Sequence, residues 1–572
     1  MVTLTINGEQ VTVSEGTTIM EAAKKAYINI SHLCYLEELE PYGACRVCVV
    51  EVEGENRLIP SCIREVREGM VVYTHSLRVR RARRMIIELL LANHPADCFT
   101  CERNQICELL KLAYELGVEE VKFDGEKPSF GLDETSPSII RDPNKCILCG
   151  RCIRVCHDVQ TVRVIGFVNR GSETVVATVL DNGLGNVECT NCGQCIHACP
   201  VGAIKEKSCV DEVWASLADP EKHVVVQEAP AIRAALGEEF GLPEGTLVAG
   251  KMHSALKRLG FDAVFDTNFT ADLTIMEEGS ELVKKIKEGG VLPLITSCSP
   301  GWIKFMEHFY PDLMDNVSTC KSPQQMFGPL AKTYYAEKAG VDAAKIVSVS
   351  VMPCTAKKFE ALRPEMRDSG YQDVDYVLTT RELARMIKEA GIDFAGLPDE
   401  MAEPLMGMYT GAGTIFGATG GVMEAALRTA YKLVTGKELE DIDIKPVRGM
   451  DGVKAATVNV NGLEVKVAVA HGLGNARKLL DEVRAGTSPY HFIEIMTCPG
   501  GCVGGGGQPI SFDMALRGTR GGVLYNEDKA LPYRKSHENP SVKKIYEDYL
   551  EKPLGKKSHH LLHTKYTKRE RI

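Results

Sequence analysis

Glu494-Ile-Met-Thr-Cys-Pro-Gly-Gly-Cys-Val-Gly-Gly-Gly-Gly-Gln-Pro509 puts two cysteines, Cys498 and Cys502, into a loop with six glycines, directly after the apolar run 490–495. Glycine has no Cβ, so such a loop lets backbone come close to something bulky, here expected to be inorganic. Two upstream runs end in the same way. Val291-Leu-Pro-Leu-Ile295 leads to Thr296-Ser-Cys-Ser-Pro-Gly-Trp302, and Lys345-Ile-Val-Ser-Val-Ser-Val351 leads to Met352-Pro-Cys-Thr-Ala-Lys-Lys-Phe-Glu360. From about residue 210 onward such strand-like runs alternate with helical patterns, which predicts an α/β fold with largely parallel strands. Sites in open α/β folds lie at the carboxyl ends of strands, so three thiol-bearing loops are expected to converge.

Outward from these loops, 572 residues predict several domains. Hydrophobic content of 44% and charged content of 25% are those of an ordinary globular protein, and a net charge of -10 argues against nucleic acid as a partner. The 21 cysteines are clustered at short spacings, unlike a secreted disulfide framework. No signal peptide and no apolar run of about 18 residues is visible, so no membrane span is expected. A reducing cytoplasmic location, with thiols used as metal ligands, follows as the expectation.

Residues 2–13 alternate around Asn7-Gly8, a hairpin pattern, and Thr18-Ile-Met-Glu21 reads as a capping box. Cys34, Cys45, Cys48 and Cys62 follow. One early cysteine, a close pair and a later one resemble the plant-type [2Fe–2S] pattern with a lengthened first spacing; zinc is the alternative. A helix over 77–93 carries Arg78, Arg80, Arg81, Arg83 and Arg84, expected as a solvated face or a docking surface for an acidic electron donor. It delivers His94, followed by Cys98, Cys101 and Cys107. Then Cys146, Cys149, Cys152 and Cys156 are matched, after 32 residues with a β-like stretch over 162–180, by Cys189, Cys192, Cys195 and Cys199-Pro200. This is the bacterial two-cluster ferredoxin repeat, in which the fourth cysteine of each run serves the other cluster. One cluster is therefore expected on Cys146, Cys149, Cys152 and Cys199, the other on Cys156, Cys189, Cys192 and Cys195. Cys209 and Cys320 lie in no motif and are expected as small buried hydrophobes.

The three strand-end loops resemble the signature segments of [FeFe]-hydrogenases, TSCCPxW, MPCxxKxxE and ExMxCxxGCxxGGGxP, and the four-cluster layout before them is similar to the same family and to the large iron–sulfur subunit of respiratory complex I. The resemblance implies a [4Fe–4S] site held by one histidine and three cysteines, at His94, Cys98, Cys101 and Cys107, hence one [2Fe–2S] and three [4Fe–4S] relay clusters. It implies an H-cluster, a [4Fe–4S] cubane joined by one thiolate to a di-iron unit with CO, CN⁻ and azadithiolate. Cys354, Cys498 and Cys502 match cubane ligands, with Cys502 bridging. Met352 and Met496 match residues packed on the di-iron unit, and Lys357 matches the lysine that bonds a cyanide. Gln324, Ser322, Pro230 and Ala229 fall where the family contacts the diatomic ligands. Cys298, Glu278, Ser318 and Glu281 match its proton path; read without the family, the two glutamates are the solvated start of a helix. The first loop departs from the pattern, reading Cys298-Ser299 where two cysteines are usual. Aligned on the proline, Ser299 takes the fourth cubane position and Cys298 the relay; the other register makes Cys298 the ligand.

The implied layout is a [2Fe–2S] ferredoxin-like β-grasp domain over 1–79, a domain for the histidine-ligated [4Fe–4S] cluster over 80–125 and a two-cluster ferredoxin domain over 126–209. An α/β H-cluster domain spans 210–514, and a small-subunit-like segment wraps it over 515–572. The implied reaction is reversible H2 oxidation and proton reduction, with electrons passing to ferredoxin. The basic end, Gly555-Lys-Lys-Ser-His-His-Leu-Leu-His-Thr-Lys-Tyr-Thr-Lys568, and the Cys298-Ser299 variant look like catalytic subunits of NAD(P)-linked, electron-bifurcating hydrogenases. No glycine-rich nucleotide fingerprint is present, so a flavin-bearing partner subunit would bind NAD(P). The alternatives are a single-chain ferredoxin hydrogenase, a complex I-like redox subunit, and a non-catalytic H2 sensor or iron–sulfur assembly protein.

Overall fold

A computed structural model describes residues 1–127, 129–460 and 462–571. The chain divides into two units. The first comprises Met1–Asp158, Arg163–Val187 and Cys195–Lys205; the second comprises Val159–Val162, Glu188–Gln194 and the chain from Glu206 onward.

The first unit opens with β1 (Val2–Ile6) and β2 (Glu9–Val13), antiparallel across Asn7-Gly8. Gly8 sits at φ +94°, the left-handed region that a tight hairpin turn demands. Thr18 caps the helix Ile19–Lys25: its hydroxyl accepts from Glu21 N at 3.2 Å, and the Glu21 carboxylate accepts from Thr18 N at 2.7 Å. β3 (Val49–Val52), β4 (Ile59–Pro60) and β5 (Val71–Tyr73) complete a five-stranded sheet in the order β2-β1-β5-β3-β4. Leu4, Ile6, Val13, Ile19, Val50 and Val72 fill its core. The helix Leu77–Ala92 follows. Its arginines do not form a uniformly solvated face: Arg83 is buried and donates to Val49 O at 2.9 Å, and Arg84 donates to Leu116 O at 3.0 Å. Beyond His94 regular structure thins to short turns, the helix Glu108–Glu115 and four strands, β6 (Ile139–Arg141), β7 (Ile165–Val168), β8 (Val175–Thr178) and β9 (Ile204–Glu206). They form the ladders β6–β9 and β7–β8, the latter within the β-like stretch expected between the two cysteine runs.

The second unit holds two four-stranded sheets. One has the order β11-β10-β13-β14, from β10 (His223–Glu228), β11 (Ala263–Asp266), β13 (Ile346–Met352) and β14 (Tyr376–Thr379), all parallel. The other has the order β12-β17-β16-β15, from β12 (Leu294–Ile295), β15 (Val453–Val460), β16 (Leu463–His471) and β17 (Phe492–Met496); only β15 runs antiparallel. Runs such as His-Val-Val-Val-Gln-Glu in β10 are apolar without alternation because both faces are covered, and each buried Val, Ile or Phe contributes roughly 1.5–3 kcal/mol. The run 291–295 yields only a two-residue strand, since Pro293 has no N–H for the ladder.

The chain from Met514 onward packs on this unit. Asp528 pairs with the buried Arg428 at 3.0 Å, Arg520 with Glu238 at 2.6 Å, and Ser536 and Asn539 donate to the buried Asp272 at 2.8 and 2.9 Å. Among the described residues no helix is long and apolar enough to cross a membrane.

Candidate active site at the ends of four strands

Four parallel strands of the second unit end around one cavity. β10 delivers Ala229 and Pro230, β12 delivers Cys298 and Ser299, β13 delivers Met352 and Cys354, and β17 delivers Met496, Cys498 and Cys502. Lys357 and Gln324 complete the expected set along the wall. Sequence reasoning missed Thr267, Ala271, Pro323 and Phe416, which also line it. Their signal is tertiary, since each stands at a helix start or face with no chemistry of its own. Ser322 is the expected wall residue that does not line the cavity. Its hydroxyl caps the helix Pro323–Leu330 and donates to Glu360 Oε2 at 2.9 Å.

Polar groups brace these loops. Lys357 Nζ donates to Cys298 O at 3.2 Å and to Glu360 Oε2 at 2.7 Å. Ser350 donates to Gln324 Oε1 at 2.9 Å. Glu494, buried in β17, accepts from Gly420 N and Met423 N, both at 2.7 Å. Ser299 Oγ lies 2.8 Å from Thr497 Oγ1 and accepts from Thr497 N at 3.2 Å, which ties the β12 loop to the β17 loop.

The glycines after Cys498 have a second role beside the one expected, as Gly501 and Gly505 line the cavity. Gly501 sits at φ +91°, and a Cβ on Gly505 would fall 2.1 Å from Pro353 O. These glycines let backbone close on backbone, pressing the β17 loop onto the Met352–Cys354 loop.

Burial pushes the Cys354, Cys498 and Cys502 thiols up, Cys502 to about 12. Thiols so desolvated ionise only when a cation replaces the proton, as a metal does. Three such sulfurs and one hydroxyl on a cavity walled by Met, Pro, Ala and Phe are a donor set that fits an iron–sulfur cluster with an apolar neighbour.

Behind Cys298 a line of oxygen groups leads away. Burial, and then the Glu281 charge, pushes the Glu278 carboxyl up to about 8, and the Ser318 hydroxyl bonds to it. Ser318 Oγ also donates to Glu281 Oε2 at 2.9 Å. Both glutamates lie inside the helix Thr267–Glu288 and are buried, which overturns the solvated-helix-start alternative. Cys320 is buried as expected, yet its thiol lies 3.9 Å from Glu281 Oε2; Cys209 is only half-buried and accepts from Lys358 Nζ at 3.3 Å.

In the first unit Cys48 Sγ and Cys62 Sγ are 3.4 Å apart. Hydrogen bonds from Cys45 and Cys62 hold the Cys34 thiol far below its usual range, so Cys34, Cys45, Cys48 and Cys62 sit together. Cys146, Cys149, Cys152 and Cys199 line a second cavity. His94 is buried, and its desolvation favours the neutral ring that a metal ligand needs. A Cβ on Gly202 would fall 2.7 Å from Cys101 Sγ. Cys98, Cys101 and Cys107 are half-buried. Cys156 and Cys195 belong to this unit, Cys189 and Cys192 to the other.

Residues 222–506 match the family model of the iron only hydrogenase large subunit, C-terminal domain, and residues 514–569 that of the iron hydrogenase small subunit. Residues 1–76 match the 2Fe-2S iron-sulfur cluster binding domain, 83–122 the NADH-ubiquinone oxidoreductase-G iron-sulfur binding region, and 136–205 the ferredoxin-like domain of NADH-quinone oxidoreductase subunit 3. Thiol loops on parallel strand ends, preceded in the chain by iron–sulfur domains of this kind, define an enzyme of hydrogen: the chain belongs to the iron-only, or [FeFe], hydrogenase family. It is 54% identical to the NADP-reducing hydrogenase subunit HndD of Solidesulfovibrio fructosivorans, over 100% of both chains. It is 45% identical to iron hydrogenase 1 of Clostridium pasteurianum, over 99% of this chain and 100% of that one. A solved structure of apo [FeFe]-hydrogenase HydA1 from Chlamydomonas reinhardtii is 46% identical, with a TM-score of 0.57, and covers 63% of this chain and 99% of that chain. The protein is a hydrogenase that oxidises H2 and reduces protons, with N-terminal iron–sulfur domains related to those of NADH-quinone oxidoreductases. The complex I-like reading thus holds for the N-terminal domains alone.

Proposed function

We propose that Cys354, Cys498 and Cys502 hold the cubane of an H-cluster in the strand-end cavity, with Cys502 bridging to the di-iron unit. The observation that carries this is the gathering of those sulfurs with Lys357, Met352 and Met496 around one apolar-walled cavity. When bound, the H-cluster supplies the iron at which H2 is split and an amine that exchanges the proton. The chain does the rest. Met352, Met496, Pro230 and Ala229 exclude water, and Lys357 and Gln324 offer donors to the diatomic ligands. Ser322 acts one step back, through Glu360.

Ser299 takes the fourth cubane position with oxygen in place of sulfur. Its hydroxyl is already oriented by Thr497, which leaves capacity for one more bond. Cys298 then serves as relay. Proton movement runs along Cys298, Glu278, Ser318 and Glu281. Glu278, held up to about 8, keeps a transferable proton at neutral pH, as a relay acid requires.

The relay clusters are one [2Fe–2S] on Cys34, Cys45, Cys48 and Cys62, one [4Fe–4S] on His94, Cys98, Cys101 and Cys107, and two [4Fe–4S] on the ferredoxin-type sets given above. Cys192 O lies 3.9 Å from Cys498 Sγ, so the second unit itself links a ferredoxin-type loop to the cubane loop. The five-segment division with boundaries at 79, 125, 209 and 514 is part of the same reading, as is a cytoplasmic location. The electron partners are ferredoxin and a flavin-bearing NAD(P)-binding subunit, in keeping with the printed name of the HndD relative, an NADP-reducing hydrogenase subunit. Infrared spectra of the matured protein test the site: CO and CN⁻ bands are expected, and their absence after maturation overturns it. Size-exclusion of the native protein from its source tests the complex.

A further inference from the structure

Beyond the proton line lies a buried cluster that the proposed function does not use. A carboxylate oxygen of Glu281, the Cys320 sulfur and a ring nitrogen of His563 all lie within 4.8 Å of one another. His563 comes from the C-terminal segment, where it bridges antiparallel to Cys320, with Lys321 N donating to Leu562 O and Thr564 N to Thr319 O, both at 2.8 Å. Its ring is held at both nitrogens: Nδ1 lies 2.8 Å from Thr319 Oγ1 and 4.0 Å from Cys320 Sγ, and Nε2 lies 3.1 Å from Glu277 Oε2. Glu277 is buried and also accepts from Tyr546 OH at 2.6 Å and Leu554 N at 2.8 Å. On the outer side His563 stacks on the exposed His559 with ring centroids 4.6 Å apart.

Besides Ser318 Oγ and the Thr319 amide, which donates to Oε2 at 3.2 Å, Glu281 meets two side chains that carry an exchangeable proton. One is Lys285, whose Nζ is 3.8 Å from Oε1. An ammonium donates protons but has no site to accept one. The other is the Cys320 thiol and, behind it, His563. A neutral imidazole has one donor and one acceptor nitrogen and changes charge near neutral pH. The groups facing it are Glu277 and Glu281 from the Thr267–Glu288 helix, the Cys320 thiol, Tyr546, and His559 from the helix Lys556–Leu562, which His563 follows.

We propose that His563 is the proton-relay residue next after Glu281, so that the C-terminal segment completes the path between cavity and solvent. The step moves one proton. The Glu281 carboxyl gives it up towards the Cys320 sulfur as the thiol proton passes to His563 Nδ1. The thiol is regenerated, Glu281 becomes a carboxylate, and the imidazolium, paired with Glu277 at Nε2, returns to the neutral ring by giving one proton to water on the exposed side, where His559 stands. Proton reduction uses the same groups in reverse.

This inference rests on the Cys298-to-Glu281 reading, and its test separates the two. His563→Gln keeps hydrogen-bonding atoms towards Thr319 and Glu277 but cannot titrate. In matured protein with unchanged CO and CN⁻ bands, it is expected to lower H2 turnover roughly tenfold. It should also raise the solvent isotope effect and remove a limb from the pH–rate profile that the wild type and Lys285→Ala keep. Independently of turnover, the infrared C=O band of the buried carboxylic acids should exchange with deuterium more slowly in His563→Gln. Added imidazole should restore both in His563→Ala. Wild-type rate, pH profile and exchange in His563→Gln overturn the proposal. Glu278→Gln, measured in parallel, tells which reading has failed: if it is fully active the line itself is wrong, and if it is inactive while His563→Gln is unaltered only the His563 branch is wrong.

Discussion

The two units place their thiols by different means. In the second unit strand ends fix them: β12, β13 and β17 are buried along their length, and their loops are tied by Ser299–Thr497 and by Lys357 to Cys298 O. Beyond its five-stranded sheet the first unit fixes Cys98, Cys101, Cys107 and its share of the ferredoxin-type thiols with short turns, helices of no more than eight residues and two small ladders. In such segments bound metal is folding energy, whereas a cavity between packed sheets exists before it is filled. Scaffold and cofactor therefore depend on each other in one unit and are separable in the other.

The sharpest break in this contrast should come from Cys502→Ala. It is expected to take H2 turnover to background and to abolish the CO and CN⁻ bands, while paramagnetic resonance signals of the N-terminal clusters persist; loss of those signals as well would deny the separation. Next, Glu278→Gln should cost roughly 10²- to 10⁴-fold in turnover with the infrared bands intact. The same change carries a stability signature. The native carboxyl, raised to about 8, holds a proton that the unfolded chain has released above its ordinary value of 4.5, so its contribution is full below that value and lost as pH rises through about 8. Glu278→Gln should lack this decline, giving melting temperatures above the wild type at pH 9 and close to it near pH 4.

Iron removal by a chelator under reducing conditions should then act unevenly. Amide protection around Cys98–Cys107 and Cys146–Cys152 is expected to vanish, while β10, β13 and β17 stay protected; hydrogen exchange read by mass spectrometry would show it, and uniform loss would erase the contrast between the units. The smallest effect is expected of Ser299→Cys. Turnover should stay within about threefold, while the potential and resonance line shape of the cubane shift, because thiolate suits iron better than alkoxide. An unchanged line shape would mean that residue 299 is no ligand.

The metal-site candidates were legible because ligand spacing is local: a loop that brings two thiols to one centre leaves its signature within a few residues. The parallel strands were legible too, since β10 and β13 are apolar without alternation. What escaped depends on distant chain. The burial of Glu278 and Glu281 does not show in an acidic stretch, because the Thr267–Glu288 helix is covered on nearly every side as far as Leu282 by elements far away in sequence. His563 gives no sign in its own segment that it meets Cys320, 243 residues earlier. The glycines after Cys498 were rightly read as a demand for close approach, but sequence alone does not say what approaches.

Lys357 has a mechanical side as well. The β10 and β13 ends belong to one sheet, the β12 and β17 ends to the other, so the cavity is a seam whose width is set by the spacing of two separate layers. Lys357, on the helix Ala356–Ala361 after β13, reaches across to the carbonyl of Cys298, and Gly507 N reaches back to Pro353 O at 2.8 Å. Gln508 Nε2 adds a third stitch, to Ala231 O at 2.9 Å beside the β10 end, so the gauge of the cavity is pinned at several points along the seam.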